Sequence, residues 1–204
     1  MHIVGIVGGV ASGKSLVARF LSELGAAVLD GDRAGHEALR DPGIIEAIRD
    51  RWGDGVIQSD GQVVRSAVAK IVFAETPEAA EELRFLEDLT HPHIRDNLRE
   101  QIERLAAQGK RVAVLDAPVL LKAGWNEFCN TLLFVNAPED LRVQRTIERG
   151  WTQTELSRRE AAQAELDEKR AAADAVLDNS GTPEELRQQI KDFWDSHLAA
   201  HMRK

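Results

Sequence analysis

Tyrosine is absent from this chain, aromatic side chains of every kind make up 5% of it, and there is one cysteine. Four tryptophans and six phenylalanines spread over 204 residues do not make a platform for stacking nucleobases. The lone thiol, Cys129, cannot build an internal disulfide framework and has no partner cysteines for a metal site. It is read as a small buried hydrophobe, compatible with a reducing compartment. No apolar run approaches the roughly 20 residues needed to cross a bilayer. The N-terminus shows neither a basic n-region nor a long apolar h-region, so no signal peptide is expected. A cytoplasmic protein with no membrane partner is the resulting expectation. A basic surplus is missing too: the formal net charge is −8. Nucleic-acid binders need a basic face to neutralise phosphates, so no nucleic-acid partner is expected.

What is present is a regular alternation. Short, β-branched apolar runs at 2–8, 26–30, 111–116, 131–135 and 174–179 read as strands. Amphipathic stretches separate them. After Lys14 the residues Leu16, Val17, Phe20, Leu21 and Leu24 recur at helical spacing, and Gly25 stands where a helix-ending glycine belongs. Thr182, Pro183 and Glu185 resemble a capping box ahead of a final helix. Between about 33 and 110 the pattern is mostly helices and turns, with helix starts expected at Thr76-Pro77 and again after Thr90. Strands that are nearly continuous in apolar residues and alternate with helices specify an α/β fold with a parallel sheet covered on both faces. Ligands in such sheets sit at the carboxyl ends of the strands.

The sharpest local signal is "GIVGGVASGKSLVARFL" at 5–21. Gly8, Gly13, Lys14 and Ser15 satisfy G-x-x-x-x-G-K-[ST] between a strand and a helix. Glycines let successive backbone N–H groups converge on phosphate oxygens, and the helix start adds its positive dipole end. Lys14 is placed to reach the β- and γ-phosphates and Ser15 to ligate Mg²⁺. The loop therefore holds a nucleoside triphosphate with Mg²⁺. No N-K-x-D guanine-reading motif occurs, and the chain is short for a motor, which leaves small-molecule kinases.

A kinase needs a second site for its acceptor, where positioning and charge stabilisation do most of the work. "LDGDRAGH" supplies Asp30, Asp32 and His36 just after the second strand. A carboxylate there can accept or orient the hydroxyl proton; either aspartate can instead begin a helix, a role that suits Asp30 better than Asp32, and His36 can equally be packing. Asp116 ends "VAVLD", where a strand-end carboxylate orients Mg²⁺ or its waters, or contacts the acceptor. Arg142, Arg145 and Arg149 share a helical face, with Arg158 and Arg159 close behind. They form either a solvated surface or a lid of arginines over the transferring phosphoryl group.

Taken in order, these motifs resemble the dephospho-coenzyme A kinase family over essentially the whole chain. "GIVGGVASGKS", "VLDGDRAGH", "LEDLTHPHIR", "VAVLDAPVLL", "QRTIERG", "RREAAQ" and "KRAAADAVLDNSG" carry the resemblance. It implies a three-layer P-loop kinase with a central parallel five-stranded sheet, a helical substrate-binding insertion over about 60–108 and a helical lid over 150–170, all within one domain. The implied reaction is ATP-dependent phosphorylation of the ribose 3′-hydroxyl of dephospho-CoA. The alternatives are a kinase for another small acceptor, such as a nucleotide, or an ATP-binding switch that transfers nothing. By the resemblance, Asp32, Lys14 and Arg145 are catalytic. Gly9, Ala11, Ser12, Gly13, Lys14, Ser15, Leu16, Arg149 and Asn179 bind ATP. Asp32, His36, His91, Arg95, Asp116, Arg159 and Gln163 bind the acceptor. Ser15 holds Mg²⁺, with Asp116 acting through water. A monomer or weak homo-oligomer is expected. Four departures from the family pattern stand out: Leu16 in place of a threonine, Ala11 in place of a loop glycine, Gly31 between the two aspartates, and Lys122 in place of a glutamate. Leu16 and Lys122 are expected to modulate KM and not to abolish turnover.

Overall fold

A computed structural model of the chain describes residues 1–202. Its strands are β1 (His2–Gly8), β2 (Ala27–Asp30), β3 (Val112–Asp116), β4 (Thr131–Asn136) and β5 (Ala175–Asp178). They form one parallel sheet in the order β2-β3-β1-β4-β5. Each lies within a residue of the run that predicts it, because a run apolar on both faces has one stable place, the middle of a covered sheet. The helices are α1 (Lys14–Glu23), α2 (Gly31–Ala38), α3 (Pro42–Trp52), α4 (Arg65–Val72), α5 (Ala79–Ala107), α6 (Glu139–Glu148), α7 (Gln153–Ala161), α8 (Leu166–Ala171), α9 (Pro183–Phe193) and α10 (Ala199–Met202). A single π-helical turn, Trp194–Leu198, joins the last two. No helix among the described residues is long and apolar enough to cross a membrane.

The chain divides into two compact units, Met1–Asp30 with the residues from Gln101 onward, and Gly31–Glu100. In the first, alternate residues of the strands face one core: Val4 and Ile6, Val112 and Val114, Leu133 and Val135, and Leu177. Val17, Phe20 and Leu21 of α1, Leu186 and Ile190 of α9, and Trp194 and Leu198 of the π turn pack on them. Each such fully buried aliphatic or aromatic side chain contributes about 1.5–3 kcal/mol. Gly25 ends α1 at φ 111°, as its position in the sequence requires. Thr182 accepts from the Glu185 amide while Glu185 reaches back, so α9 starts with the expected capping box.

The register fixes what stands at the carboxyl edge. Asp116 lies opposite Ile6 on one side and Asp30 on the other, so β2 and β3 end on neighbouring carboxylates. β1, next to them, runs directly into the glycine-rich loop. The sheet thus places the loop and the two strand-end acids along one edge, beside the point where the strand order reverses.

The second unit is helical. α3 is tied to the start of α5 by Arg51, which pairs with Glu81 and Glu82, and by Trp52, whose indole N–H donates to Glu82 at 2.7 Å. Two expectations are corrected here. α5 begins at Ala79, not at Thr76-Pro77, and the Ala79 amide bonds the Thr76 carbonyl. Thr90 does not start a new helix: α5 runs through it and through Pro92. The Thr90 hydroxyl donates to the Leu86 carbonyl at 2.7 Å, the back-bonded state open to a threonine inside a helix. Local sequence signalled a break, but Ile94 and Leu98 are buried on the same face, and that burial carries the helix across the proline.

Candidate functional site

The loop between β1 and α1 is shaped by close approaches that only certain residues allow. Gly13, at φ 101°, is the N-cap of α1, and a Cβ there would stand 2.1 Å from the Asn179 amide nitrogen. A Cβ at Gly9 would stand 2.9 Å from the Arg142 guanidinium. Ala11 adopts φ 59°, the left-handed region that an L-residue enters at a cost of about 1 kcal/mol. Its methyl is buried with Val10 and Leu156, the latter from α7. The methyl that Ala11 has in place of a glycine's hydrogen thus packs against α7.

Cations converge on this loop. The Lys14 ammonium donates to the carbonyls of Gly8 at 3.2 Å and Gly9 at 2.8 Å. Arg145, from α6, donates to the Asn179 carbonyl at 2.9 Å and makes longer contacts of 3.4 Å to the carbonyls of Ala11 and Ser12. Asn179, just past β5 and buried, donates its side-chain amide to Ser12 at 2.6 Å. The Ser12 hydroxyl is buried and has no hydrogen-bond partner among the described residues. Two cationic groups and a side-chain amide around a strand-to-helix loop, with an unpaired hydroxyl inside it, are suited to a multiply charged anion with several acceptor oxygens.

Ser15 and Asp116 meet at the same edge, where the hydroxyl donates to the carboxylate at 3.1 Å. This is a hard-oxygen pair of the kind that suits Mg²⁺, a cation that keeps several waters and takes one or two protein oxygens beside substrate phosphates. Leu16 packs its side chain against the sheet core while its amide bonds the Gly13 carbonyl. Lys122 is exposed in the turns after β3.

The region over 150–170 folds as α7 and α8. Thr152 and Glu155 cap α7 reciprocally, which holds the Glu155 carboxyl below the usual range through hydrogen bonds from the Thr152 backbone and hydroxyl. Arg159 stacks on Trp151 with its guanidinium carbon 4.0 Å from the ring centre, and Arg149 lies 5.9 Å from the same ring. Of the arginines singled out in the sequence, Arg145 is therefore on the loop, whereas Arg149 and Arg159 share an indole. Gln163 accepts a hydrogen bond from Lys169 at 2.7 Å.

The remaining candidates belong to the helical unit. Asp32 and His36 are exposed one turn apart on α2, and His91 and Arg95 are one turn apart on α5. The two helices are docked within this unit. Gly35 faces the Ile94 side chain, where a Cβ would sit in ordinary contact at 3.7 Å, and Asn97 donates to Glu37 at 3.1 Å. Hydrogen bonds from Arg33 and then Asn97 hold the Glu37 carboxyl below its ordinary range.

Two residues of this site had no assigned role in the sequence: Arg142, which the shared face offered only as a solvated or a lid arginine, and Lys169. Arg142 is buried, pairs with Glu160 of α7, and lies across Gly9. Lys169 of α8 is buried and donates to the Gly8 carbonyl at 3.4 Å. Arg142 shares the helical face of Arg145, and Lys169 lies in the "KR" of a quoted motif, but no spacing rule separates either from a solvated charge. Cys129 is half-buried; its thiol contacts the Trp125 carbonyl at 3.9 Å, and burial pushes it up to about 12, which keeps it protonated and inert.

Comparison with known proteins bears on this geometry. The family model for dephospho-CoA kinase matches residues 2–185. A dephospho-CoA kinase of Geobacter sulfurreducens is 38% identical over 197 residues, covering 95% of this chain and 98% of that one. The crystal structure of TT1252 from Thermus thermophilus aligns with a TM-score of 0.79 at 34% identity, covering 97% and 98% of the two chains. A dephospho-CoA kinase structure from Campylobacter jejuni shares the fold, with a TM-score of 0.63 at 20% identity and 96% of each chain covered.

Proposed function

This chain belongs to the dephospho-CoA kinase family, and on that premise we propose that Lys14 and Arg145 hold the transferring phosphoryl group while Asp32 orients the acceptor hydroxyl. The reaction is transfer of the ATP γ-phosphate to the ribose 3′-hydroxyl of dephospho-CoA, giving coenzyme A and ADP. The observation that carries the assignment is the convergence of Lys14, Arg145 and Asn179 on one loop whose buried Ser12 hydroxyl is unpaired. Phosphoryl transfer asks for little covalent chemistry from the protein; fixed cations and an in-line nucleophile do most of the work.

The parts divide as follows. Backbone N–H groups of Gly9–Ser15 and the start of α1 cradle the nucleotide phosphates. The main chain already holds Arg145, so little reorganisation is needed as charge develops. Ser15 and Asp116 would hold Mg²⁺, which neutralises phosphate charge when bound. Asn179 fixes the Ser12 turn, and Arg142 with Leu156 fixes the α7 region against Val10 and Ala11. Asp32, at the first turn of α2, is the carboxylate that accepts or orients the hydroxyl proton. His36, His91 and Arg95 belong to the unit Gly31–Glu100, which we assign to the acceptor. Arg149 and Arg159 on Trp151 serve the lid.

A coupled ADP-release assay with Mg-ATP and dephospho-CoA, adenosine, AMP or no acceptor tests the reading. ADP release that requires dephospho-CoA, with coenzyme A formed in equal amount, is the expected outcome. Equal release with every acceptor, or with none, overturns it.

A further inference from the structure

Lys169 is the one buried lysine among the described residues, with 5% of its surface exposed. It reaches the glycine-rich loop from α8, 161 residues along the chain. Its ammonium donates to the Gly8 carbonyl at 3.4 Å and to Gln163 at 2.7 Å. The Lys14 ammonium donates to the same Gly8 carbonyl. Two like charges thus meet at one neutral oxygen, with Arg142 adding a third cation and the acids Glu160 and Glu165 acting on Lys169 from the other side of the balance. Two amide-type acceptors leave a buried ammonium short of counter-charge, an arrangement that costs free energy unless an anion completes it.

We propose that Lys169 is a second phosphate-binding lysine of this loop: on nucleotide binding its ammonium leaves the Gly8 carbonyl and the Gln163 side chain for the terminal end of the triphosphate. Lys14 reaches the β- and γ-phosphates from the same oxygen, so a lysine sharing that oxygen is within a side-chain rotation of the same groups. Gln163 acts as the resting partner of Lys169, which gives the segment between α7 and α8 a contact that changes when nucleotide arrives. The proposal rests on the reading of the loop as a triphosphate site and adds to it a ligand that favours ATP over ADP. Burial, and after it the Lys14 charge, lowers the ordinary lysine value to about 8. In the free enzyme the amine therefore loses its proton above that pH, while an ammonium on phosphate keeps it.

Two substitutions test this, each read by nucleotide affinity and by kcat/KM for ATP with dephospho-CoA as acceptor. Lys169→Met keeps the length of the side chain and removes the charge. ATP affinity is expected to fall roughly ten- to hundredfold, the worth of one charge-assisted hydrogen bond, with a smaller loss for ADP. Lys169→Arg restores most of the ATP affinity. In the wild-type enzyme kcat/KM for ATP declines as pH rises past about 8, and in Lys169→Arg that decline is absent because a guanidinium does not titrate there. An unchanged ATP-to-ADP affinity ratio in Lys169→Met, or the same alkaline decline in Lys169→Arg, overturns the proposal. Should the Met variant not fold, the pH profile of the Arg variant decides alone. Failure of the wild-type enzyme to use dephospho-CoA at all would count against the kinase reading and not against Lys169, because nucleotide affinity is read without acceptor.

Discussion

Arg145 and Asn179 bind each other and the same turn of the loop: the guanidinium donates to the Asn179 carbonyl at 2.9 Å, and the Asn179 amide donates to the Ser12 carbonyl at 2.6 Å. One residue comes from α6 and the other follows β5, so two elements of the sheet unit fix one phosphate-binding turn. Arg145→Lys keeps the charge and loses the planar fork that engages several carbonyls at once. A fall in kcat of about 10²–10³ is expected, the usual worth of a pre-placed charge on a developing anion. KM for ATP is expected to change less. Steady-state kinetics with varied ATP decides; an equal loss in the affinity for ATP and in kcat/KM, with kcat intact, would make Arg145 a simple anchor for the nucleotide.

Gly13→Ala tests the geometry of the turn. The new Cβ would lie 2.1 Å from the Asn179 nitrogen, at a backbone φ of 101°. Neither the clash nor the dihedral can be relieved without moving the Asn179–Ser12 bond. The variant is expected to bind ATP at least tenfold more weakly and to unfold at lower temperature. The double variant Gly13→Ala, Asn179→Ala removes the clash but not the strained φ, so it recovers only part of the loss. Full recovery in a thermal melt and an ATP titration would show that the dihedral does not matter here.

Asp32→Asn separates chemistry from binding. ATP affinity stays nearly intact while kcat falls by roughly 10²–10⁴, the range of acid–base assistance. A loss below tenfold would reduce Asp32 to a residue that begins α2.

How much of this was legible beforehand follows the range over which each feature is determined. The five strands, the Gly13–Lys14–Ser15 loop and the Thr182 capping box are set by neighbours in sequence, and reading them needs only periodicity and local stereochemistry. Thr90 and Pro92 are local signals too, yet α5 overrides them, because burial of Ile94 and Leu98 is a tertiary gain that no window of sequence displays. Lys169 and Arg142 look like ordinary charges on amphipathic helices. Only the fold brings α8 to Gly8 and lays the guanidinium across Gly9. Arg145 and Arg149 show the same limit: the face they share is readable, but which of them reaches the loop depends on where Trp151 and Asn179 lie.

Ser15→Ala removes the hydroxyl that donates to Asp116 at 3.1 Å. If this pair holds Mg²⁺, the half-activating Mg²⁺ concentration rises roughly ten- to hundredfold, as it does when a metal-site partner is lost. Saturating Mg²⁺ should return much of kcat, because the phosphates remain the main ligands. A Mg²⁺ titration at fixed ATP reads this directly, and an unchanged titration curve would place the metal elsewhere.

His2 stacks on His201 with ring centres 4.4 Å apart, which fastens α10 to the first strand, and it shares a hydrogen bond of 2.9 Å with Thr131. Burial, then the neighbouring His201 and the amino terminus, holds the His2 imidazole below its ordinary value of 6.5. A histidine with a depressed value binds fewer protons folded than unfolded, so acid favours the unfolded chain. Its contribution is fully present above about pH 6.5, the unfolded value, and is lost as pH falls through the lower folded value. Thermal melts between pH 7.5 and 5 should therefore show a steeper decline for the wild-type protein than for His2→Phe, which keeps a stacking ring and removes the titration. Amide exchange in Ala199–Met202 should quicken over the same interval in the wild type only. Parallel declines in the two proteins would mean that His2 does not couple the terminal helix to pH.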